Sequence, residues 1–385
     1  MSLISENNPK IKVAIIGTAG VPGRYGGFET LAHQLVSKLG RRFDLTVYCS
    51  NKFYAPYDRK QEWRKASLKY LPLNANGVQS IPYDIISMVH AIMNADVLLV
   101  LGVSGGIIFP FIKLFSRKKI VVNIDGLEWK RNKWGYWAKK FLKFSEYLAV
   151  RFSDAEITDN GAIEKYTADH YQSSSNLIEY GADHVIKVPI SEFDRKEYSF
   201  LSSLYTFGVC RIEPENNIHM ILEAFSKMPE KVLVMVGNWD NSKYGRDMRE
   251  QYGECENIHL LDPIYDQKGL DLLRSNCYVY IHGHSAGGTN PSLVEAMYLG
   301  LPIVAFDVSY NRATTEDRAF YFSSPEDIVD IVSKKKAVEY RGNRLIMKII
   351  ADERYTWGII SEKYAKLIEA TYYNRSVKIS AKLAD

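Results

Sequence analysis

Asn290, Pro291, Ser292 and Glu295 stand in the stretch YVYIHGHSAGGTNPSLVEAMYLGLPIVAFD, residues 278–307, with a spacing suited to holding an anionic leaving group. Asn290 is a good helix N-cap and Pro291 a good first helical residue. In a helix begun there, the amides of Ser292, Leu293 and Val294 lack partners within the helix, and the peptide dipoles concentrate positive potential on them. Gly287 and Gly288, in the loop Gly283–Thr289, let a diphosphate come close to that backbone. Glu295, about a turn further in, is placed to accept two sugar hydroxyls of a nucleotide. The alternative is a plain strand–loop–helix–strand unit in which Glu295 complements the dipole. Spacing alone leaves the two readings level.

Other residues invite the same question. The apolar strand KVAIIG, residues 12–17, opens into TAGVPGRYGGFET and a helix through about Leu39. Its glycines at 17, 20 and 23 are spaced G-x-x-G-x-x-G, which is not the dinucleotide fingerprint, and no Gly-Lys-Ser/Thr follows. The next strand, Leu45–Cys49, ends without an acid to hold a ribose, so NAD is not expected. Strand Lys119–Ile124 runs into DGLEWKRNKW, putting Asp125 and Glu128 where open α/β sheets bind ligands. A helix cap and a solvated surface carboxylate are the alternatives. Arg211 closes the strand TFGVCR; taken alone it reads as half of a surface ion pair. His282 and His284 lack a third ligand at recognisable spacing, so no metal site is expected.

The elements that must position these residues are short apolar strands at 96–101, 119–124, 155–158, 176–179, 206–211, 232–237, 258–261, 278–281 and 303–306, alternating with helical stretches. That rhythm predicts parallel α/β sheets. A chain of 385 residues suits two domains. The reading places the first at residues 1–187, the second at 188–354 opening with a polar linker, and a terminal segment at 355–385. With 46% hydrophobic and 24% charged residues the chain is globular, and a net charge of +4 is too mild to imply nucleic acid. Cys49, Cys210, Cys255 and Cys277 form no CxxC pair, which suits a reducing cytosol. The N-terminus has no apolar signal core, and the longest uncharged run, Val97–Ile112, is broken by glycines and a proline, so no transmembrane span is expected. From Lys130 to Phe144 there are six basic residues and no acid, with Trp134, Trp137, Phe141 and Phe144 at helical spacing. This combination suits an anionic membrane surface. Core packing is the favoured expectation for the stripe, leaving the lysines for head groups or a diphosphate.

GHSAGGTNPSLVEAM resembles the donor-binding segment of retaining glycosyltransferases of family four. Their signature has two glutamates separated by seven residues; Glu295 matches the second, and the first falls at Gly287. In that departure, and in GTAGVPGRYGGFET and DGLEWKR, the chain is similar to bacterial rhamnosyltransferases of cell-surface polysaccharide assembly. The resemblance implies the GT-B architecture, two doubly wound Rossmann-like domains facing a central cleft, with the terminal helix returning to the first domain. It also implies that Gly26, Gly27, Gly288, Thr289, Asn290, Ser292, Leu293 and Glu295 line the donor. Arg24 would pair with the donor phosphates, and Glu29, Glu128 and Asn160 would border the cleft.

Arg211 matches an arginine that holds the diphosphate, and the companion lysine position falls at Asn216. Asp125, Arg211 and Glu295 are the expected catalytic set. The implied substrate is a nucleotide-diphospho-sugar, dTDP-L-rhamnose, with no cofactor or metal. The implied acceptor is a polyprenyl-diphosphate-linked saccharide at the inner face of the cytoplasmic membrane. A UDP- or GDP-sugar donor, a nucleotide-sugar epimerase of the same architecture and a catalytically silent sugar-binding module are the rival expectations.

Overall fold

The computed structural model describes residues 9–23, 26–124, 126–130 and 134–380. Arg24 and Asp125 lie outside the described residues, as does the side chain of Glu128.

The first sheet contains β1 (Lys12–Ile16), β2 (Asp44–Ser50), β3 (Glu62–Trp63), β4 (Ala66–Leu71), β5 (Val97–Leu101), β6 (Lys119–Ile124), β7 (Ala155–Thr158) and β8 (Asn176–Leu177). Its spatial order is β3-β4-β2-β1-β5-β6-β7-β8, parallel except for β3. The second sheet, all parallel, contains β9 (Tyr205–Val209), β10 (Val232–Val236), β11 (Ile258–Leu261), β12 (Val279–His282), β13 (Ile303–Phe306) and β14 (Phe320–Phe322), in the order β11-β10-β9-β12-β13-β14.

The strands are continuous apolar runs because both faces of each sheet are covered. Alternate residues of β1 face opposite ways: Val13 and Ile15 join the core beneath the helices Gly27–Leu39 and Trp357–Tyr372, while Ala14 and Ile16 join a second core with Met88, Phe109 and Ala149. Burying one such Val or Ile contributes about 1.5–3 kcal/mol, so these strands anchor the loops they carry.

In each sheet the chain leaves one central strand in one direction and later returns on its other side. That happens between β1 and β5 in the first sheet and between β9 and β12 in the second. At such a switch point neighbouring loops diverge and leave a crevice beyond the strand ends. The glycine-bearing loops after β1 and β12 therefore occupy the two positions where a ligand crevice is expected.

Two local features differ from the sequence expectation. The linker holds a short helix, Glu192–Glu197, begun by a capping box between Ser191 and Asp194. The aromatic stripe after Lys130 is not core. In the helix Tyr136–Phe152 the buried residues are Leu142, Ser145, Glu146, Ala149 and Val150, whereas Trp137 is 77% and Phe144 53% exposed. The face chosen for packing is the one bearing small and aliphatic residues, which fits closely over the sheet and turns the bulky rings outward.

The terminal helix Trp357–Tyr372 returns to the first domain. Asn123 on β6 donates to Tyr364 Oη at 2.6 Å, and Arg42 grips Glu369 with two bonds of 2.6 and 2.7 Å. Beyond it, Ile379 O accepts from Leu177 N–H at 3.0 Å, extending the sheet edge at β8. A buried carboxylate, Glu179, ties the returning segment down through Lys363 at 2.7 Å and Arg354 at 3.2 Å.

A candidate donor cleft between the two domains

The loop after β1 is fixed by its own domain. Gly17 has φ +89°, and a Cβ there would lie 2.0 Å from the carbonyl oxygen of Leu101 on β5. Only glycine fits that approach. Ala19 N–H donates to Glu29 Oε1 at 2.8 Å and Gly23 N–H to His33 Nδ1 at 3.2 Å. Tyr83 and Tyr54 donate their hydroxyls to the carbonyls of Thr18 and Pro22.

Glu29 was expected to face the cleft; instead it turns back into the loop. The missing side chain of Gly26 makes room for it, since a Cβ on Gly26 would lie 2.0 Å from Glu29 Oε2. Burial pushes the Glu29 carboxyl above the usual carboxylate range, against the hydrogen bonds it accepts. Gly27 does face across the cleft: its hypothetical Cβ would find Pro291 Cγ of the other domain at 3.9 Å.

The helix Pro291–Tyr298 begins as the sequence indicates, capped by Asn290. Its first amides, however, are already engaged. Ser292 N–H donates to Asn290 Oδ1 at 3.1 Å, and the amides of Leu293 and Val294 donate to Asn290 O at 3.1 and 3.2 Å. The expectation that these three amides stand unpartnered is therefore corrected, because the cap residue supplies both its side-chain and main-chain oxygens. Leu293 is also fully buried.

Before this helix, Gly288 and Thr289 meet the first domain rather than an open trough. Thr289 N–H donates to Asp159 Oδ2 at 3.0 Å, and Thr289 Oγ1 donates to the Asp159 carbonyl. A Cβ on Gly288 would lie 2.0 Å from Asp159 Oδ1, and one on Gly126 2.7 Å from the backbone of Gly287. Asn160, next to Asp159, is an interdomain pin rather than a cleft group. Its Oδ1 caps the helix Gly161–Tyr171 at Ala162 N–H, and its Nδ2 donates to Tyr310 O and Thr314 Oγ1, each at 3.1 Å.

On the second domain's other crevice loop, Asn216 is buried and donates to the carbonyl of Arg211 at 2.7 Å. It buttresses the turn instead of meeting a diphosphate. Asn217, at φ +49°, donates to Gly283 O at 2.9 Å, and Ser285 N–H to Glu215 O at 2.9 Å, so the loops after β9 and β12 are knitted together. Arg211 itself remains 48% exposed at the side chain, with Glu213 3.9 Å away.

Glu295 is the most tightly held group of the cleft. Its Oε2 is bound by Arg274, whose guanidinium also binds Asp271 at 2.7 Å, and its Oε1 lies 3.1 Å from His184 Nε2. Trp357 Nε1–H donates to His184 Nδ1 at 3.0 Å. Because an indole only donates, the hydrogen facing Glu295 sits on Nε2. Burial works to raise the Glu295 pKa, but Arg274 and then His184 outweigh it and leave it at about 2. With a side chain 13% exposed and a second lone pair on each oxygen, the carboxylate still has capacity to accept hydroxyls.

His282 and His284 stack with centroids 4.2 Å apart, and burial pushes the His282 pKa down to about 3, keeping the ring neutral. Among the described residues no group of three or more His, Cys, Asp or Glu is arranged to hold a metal ion.

Sequence reasoning missed Asp159, His184 and Arg274. Arg274 had one detectable signal: Asp271 and Arg274 stand three apart inside LDLLR, a charged pair embedded in an apolar run. Asp159 and His184 act through residues far away in the chain and carried none.

Residues 190–339 match the family described as glycosyl transferases group 1, and residues 10–183 match a domain of unknown function (DUF1972). The chain is 23% identical over 169 residues to glycosyltransferase 1 domain-containing protein 1 of Xenopus tropicalis, covering 42% of this chain and 48% of that protein. It spans about half the length of the curated relatives it matches.

Among solved structures it is similar to sucrose-phosphate synthase from Thermosynechococcus elongatus, with a TM-score of 0.78, 13% identity, and coverage of 95% of this chain and 100% of that one. It is also similar to Anabaena HepE in complex with UDP and glucose, with a TM-score of 0.74, 15% identity, and coverage of 94% and 100%. The two parallel-sheet domains have the GT-B fold.

Proposed function

We propose that the chain is a retaining glycosyltransferase that moves L-rhamnose from dTDP-L-rhamnose to a polyprenyl-diphosphate-linked saccharide at the inner face of the cytoplasmic membrane. The observation that carries this reading is the meeting of Gly27 with Pro291 across the cleft, beside a carboxylate, Glu295, that Arg274 and His184 keep anionic. The group 1 match of the second domain and its likeness to a UDP-bound structure support the nucleotide-sugar part. The rhamnosyl part rests on the resemblance of the three sequence segments.

In this reading Glu295 accepts the one free hydroxyl, the 3′-OH, of the donor's deoxyribose. The diphosphate lies against the start of the helix Pro291–Tyr298, replacing Asn290 as acceptor at Ser292 N–H, and Arg211 swings from its loose contact with Glu213 to stabilise the departing charge. Fixed positive potential aimed at a developing anion is often the largest catalytic term, and losing one such donor costs about 3 kcal/mol. Arg211→Ala is therefore expected to lower turnover by roughly a hundredfold or more. The acceptor hydroxyl attacks on the face the phosphate leaves and gives its proton to that phosphate, with Asp125 orienting the acceptor. Closing the domains excludes water.

The test is nucleoside diphosphate release from a panel of nucleotide sugars offered with membrane lipid extract. Release from dTDP-L-rhamnose that depends on the extract is the expected result. Release from UDP-hexoses but not dTDP-L-rhamnose overturns the donor, and interconversion of the sugar without any acceptor makes the protein an epimerase.

A further inference from the structure

We propose that the outer face formed by the helices Phe109–Phe115 and Tyr136–Phe152 docks on an anionic phospholipid bilayer. It rests on the proposed function only in naming the membrane that carries the acceptor; the docking itself stands on four observations. First, these two helices pack against each other and expose large apolar side chains that core packing normally consumes: Phe111, Leu114 and Phe115 on one, Tyr136, Trp137 and Phe144 on the other. Phe115 is 78% exposed. Rings scattered singly over a surface need no explanation, but a run of them on two adjoining helices marks an interaction face.

Second, the exposed ridge of the longer helix mixes aromatic and basic residues: Trp137, Lys140, Phe144, Tyr147 and Arg151 recur every three or four positions. Lys140 Nζ lies 4.6 Å from the ring centre of Tyr136 and 5.7 Å from that of Trp137. That arrangement puts an ammonium beside each ring at the depth where phosphate head groups meet acyl chains.

Third, the sign of the charge selects the partner. The only acid in the two helices is Glu146, which is buried and accepts the hydroxyls of Tyr171 and Tyr166 at 2.6 and 3.1 Å. The exposed face of these helices thus carries lysine and arginine but no carboxylate of its own; Lys113 is paired at 2.8 Å with Asp154 just past the longer helix, so Lys140 and Arg151 of that helix's exposed ridge supply the charge an anionic lipid surface requires.

Fourth, the face leads to the cleft. The helix Tyr136–Phe152 begins after β6, at the strand ends that border the crevice. There Trp129 lies under Lys130 and Lys143, with their Nζ atoms 5.5 and 4.8 Å from its ring centre. A diphosphate-bearing lipid emerging from the bilayer would meet these lysines before reaching the domain interface. Among the described residues no helix is long and apolar enough to cross a membrane, so attachment at this face would be interfacial.

The experiment is sedimentation of the purified chain with vesicles of phosphatidylethanolamine and phosphatidylglycerol, and with pure phosphatidylcholine vesicles as the uncharged control. Binding to the first and not the second, weakened by salt, is expected. Lys140→Ala should weaken it roughly fivefold. The pair Trp137→Ser and Phe115→Ser should abolish it while circular dichroism and the melting temperature stay unchanged. Donor turnover onto a detergent-solubilised acceptor should be unaffected by these variants, which separates loss of docking from failure of the transferase reading. Absence of binding to anionic vesicles overturns the proposal, and so does binding that survives the double substitution. A wild type that is dimeric in solution and becomes monomeric with Trp137→Ser also overturns it, by making the face a contact between copies.

Discussion

The two glycine-rich loops that confront each other across the cleft are built on opposite plans. The loop after β1 is held by its own domain: Glu29, His33, Tyr54 and Tyr83 each bond its backbone. The loop after β12 is held at Gly288 and Thr289 by Asp159 of the other domain, and behind that by the turn at Glu215. The first is a wall whose position is set when its domain folds. The second is tied to its own domain at Gly283 and Ser285, and its Gly288–Thr289 end is held across the interface. In the proposed transferase, a cleft with one wall fixed by its own domain and the other completed across the interface would be finished as the domains close over the donor.

The largest expected effect separates cleft chemistry from simple closure. Glu295→Ala leaves the buried Arg274 guanidinium with Asp271 alone, and should cost about 3 kcal/mol of stability in urea unfolding. Glu295→Gln sharpens this through pH. The wild-type carboxyl has a folded pKa of about 2 against an ordinary 4.5, so its contribution is fully present above pH 4.5 and is lost as pH falls towards 2. Between pH 5 and 3 the wild type should lose more stability than the glutamine variant. Equal losses would mean that the Arg274 and His184 contacts do not form.

Next in size is a break in the fixed wall. Glu29→Ala leaves the amide of Ala19 without its acceptor, at a cost of about 1–3 kcal/mol. Amide exchange should rise at Ala19 and Gly20 but not at Thr289. A uniform rise in both loops would mean that the two loops are held alike.

The smallest effect on stability, and the most specific, concerns the wall held across the interface. Gly288→Ala places a methyl group against the Asp159 carboxylate, so the domains should stand further apart, read as a larger radius of gyration in solution scattering with little change in melting temperature. Adding Asp159→Ala removes the collision and should restore much of the compactness. If the single variant stays as compact as the wild type, Asp159 does not hold this loop.

Much of the scaffold was legible from the sequence because it depends on local rules. β-branched runs such as Val97–Leu101 can be buried on both faces, and Asn290 followed by Pro291 supplies an N-cap and a first helical residue. The segment GHSAGGTNPSLVEAM, which carried the glycosyltransferase resemblance, lies inside the stretch that matches the group 1 family. What was not legible depends on partners distant in the chain. Asn290 was read as a cap, yet the same capping removes the open amides expected at Ser292–Val294. The resemblance sets Glu29 at the cleft and Asn216 at the diphosphate, and both turn to nearby backbone instead. The aromatic residues at Trp137 and Phe144 have the periodicity of a core face; only the competing small-residue face of the same helix shows why they stay outside.

The return of Trp357–Tyr372 to the first domain has a consequence for synthesis on the ribosome. The half of the molecule that emerges first lacks the helix that covers part of its sheet, and Asn123 waits for Tyr364 until some 240 further residues have been translated. The nascent first domain must spend that interval with an uncovered apolar surface, so the domain made earliest is the last to be finished.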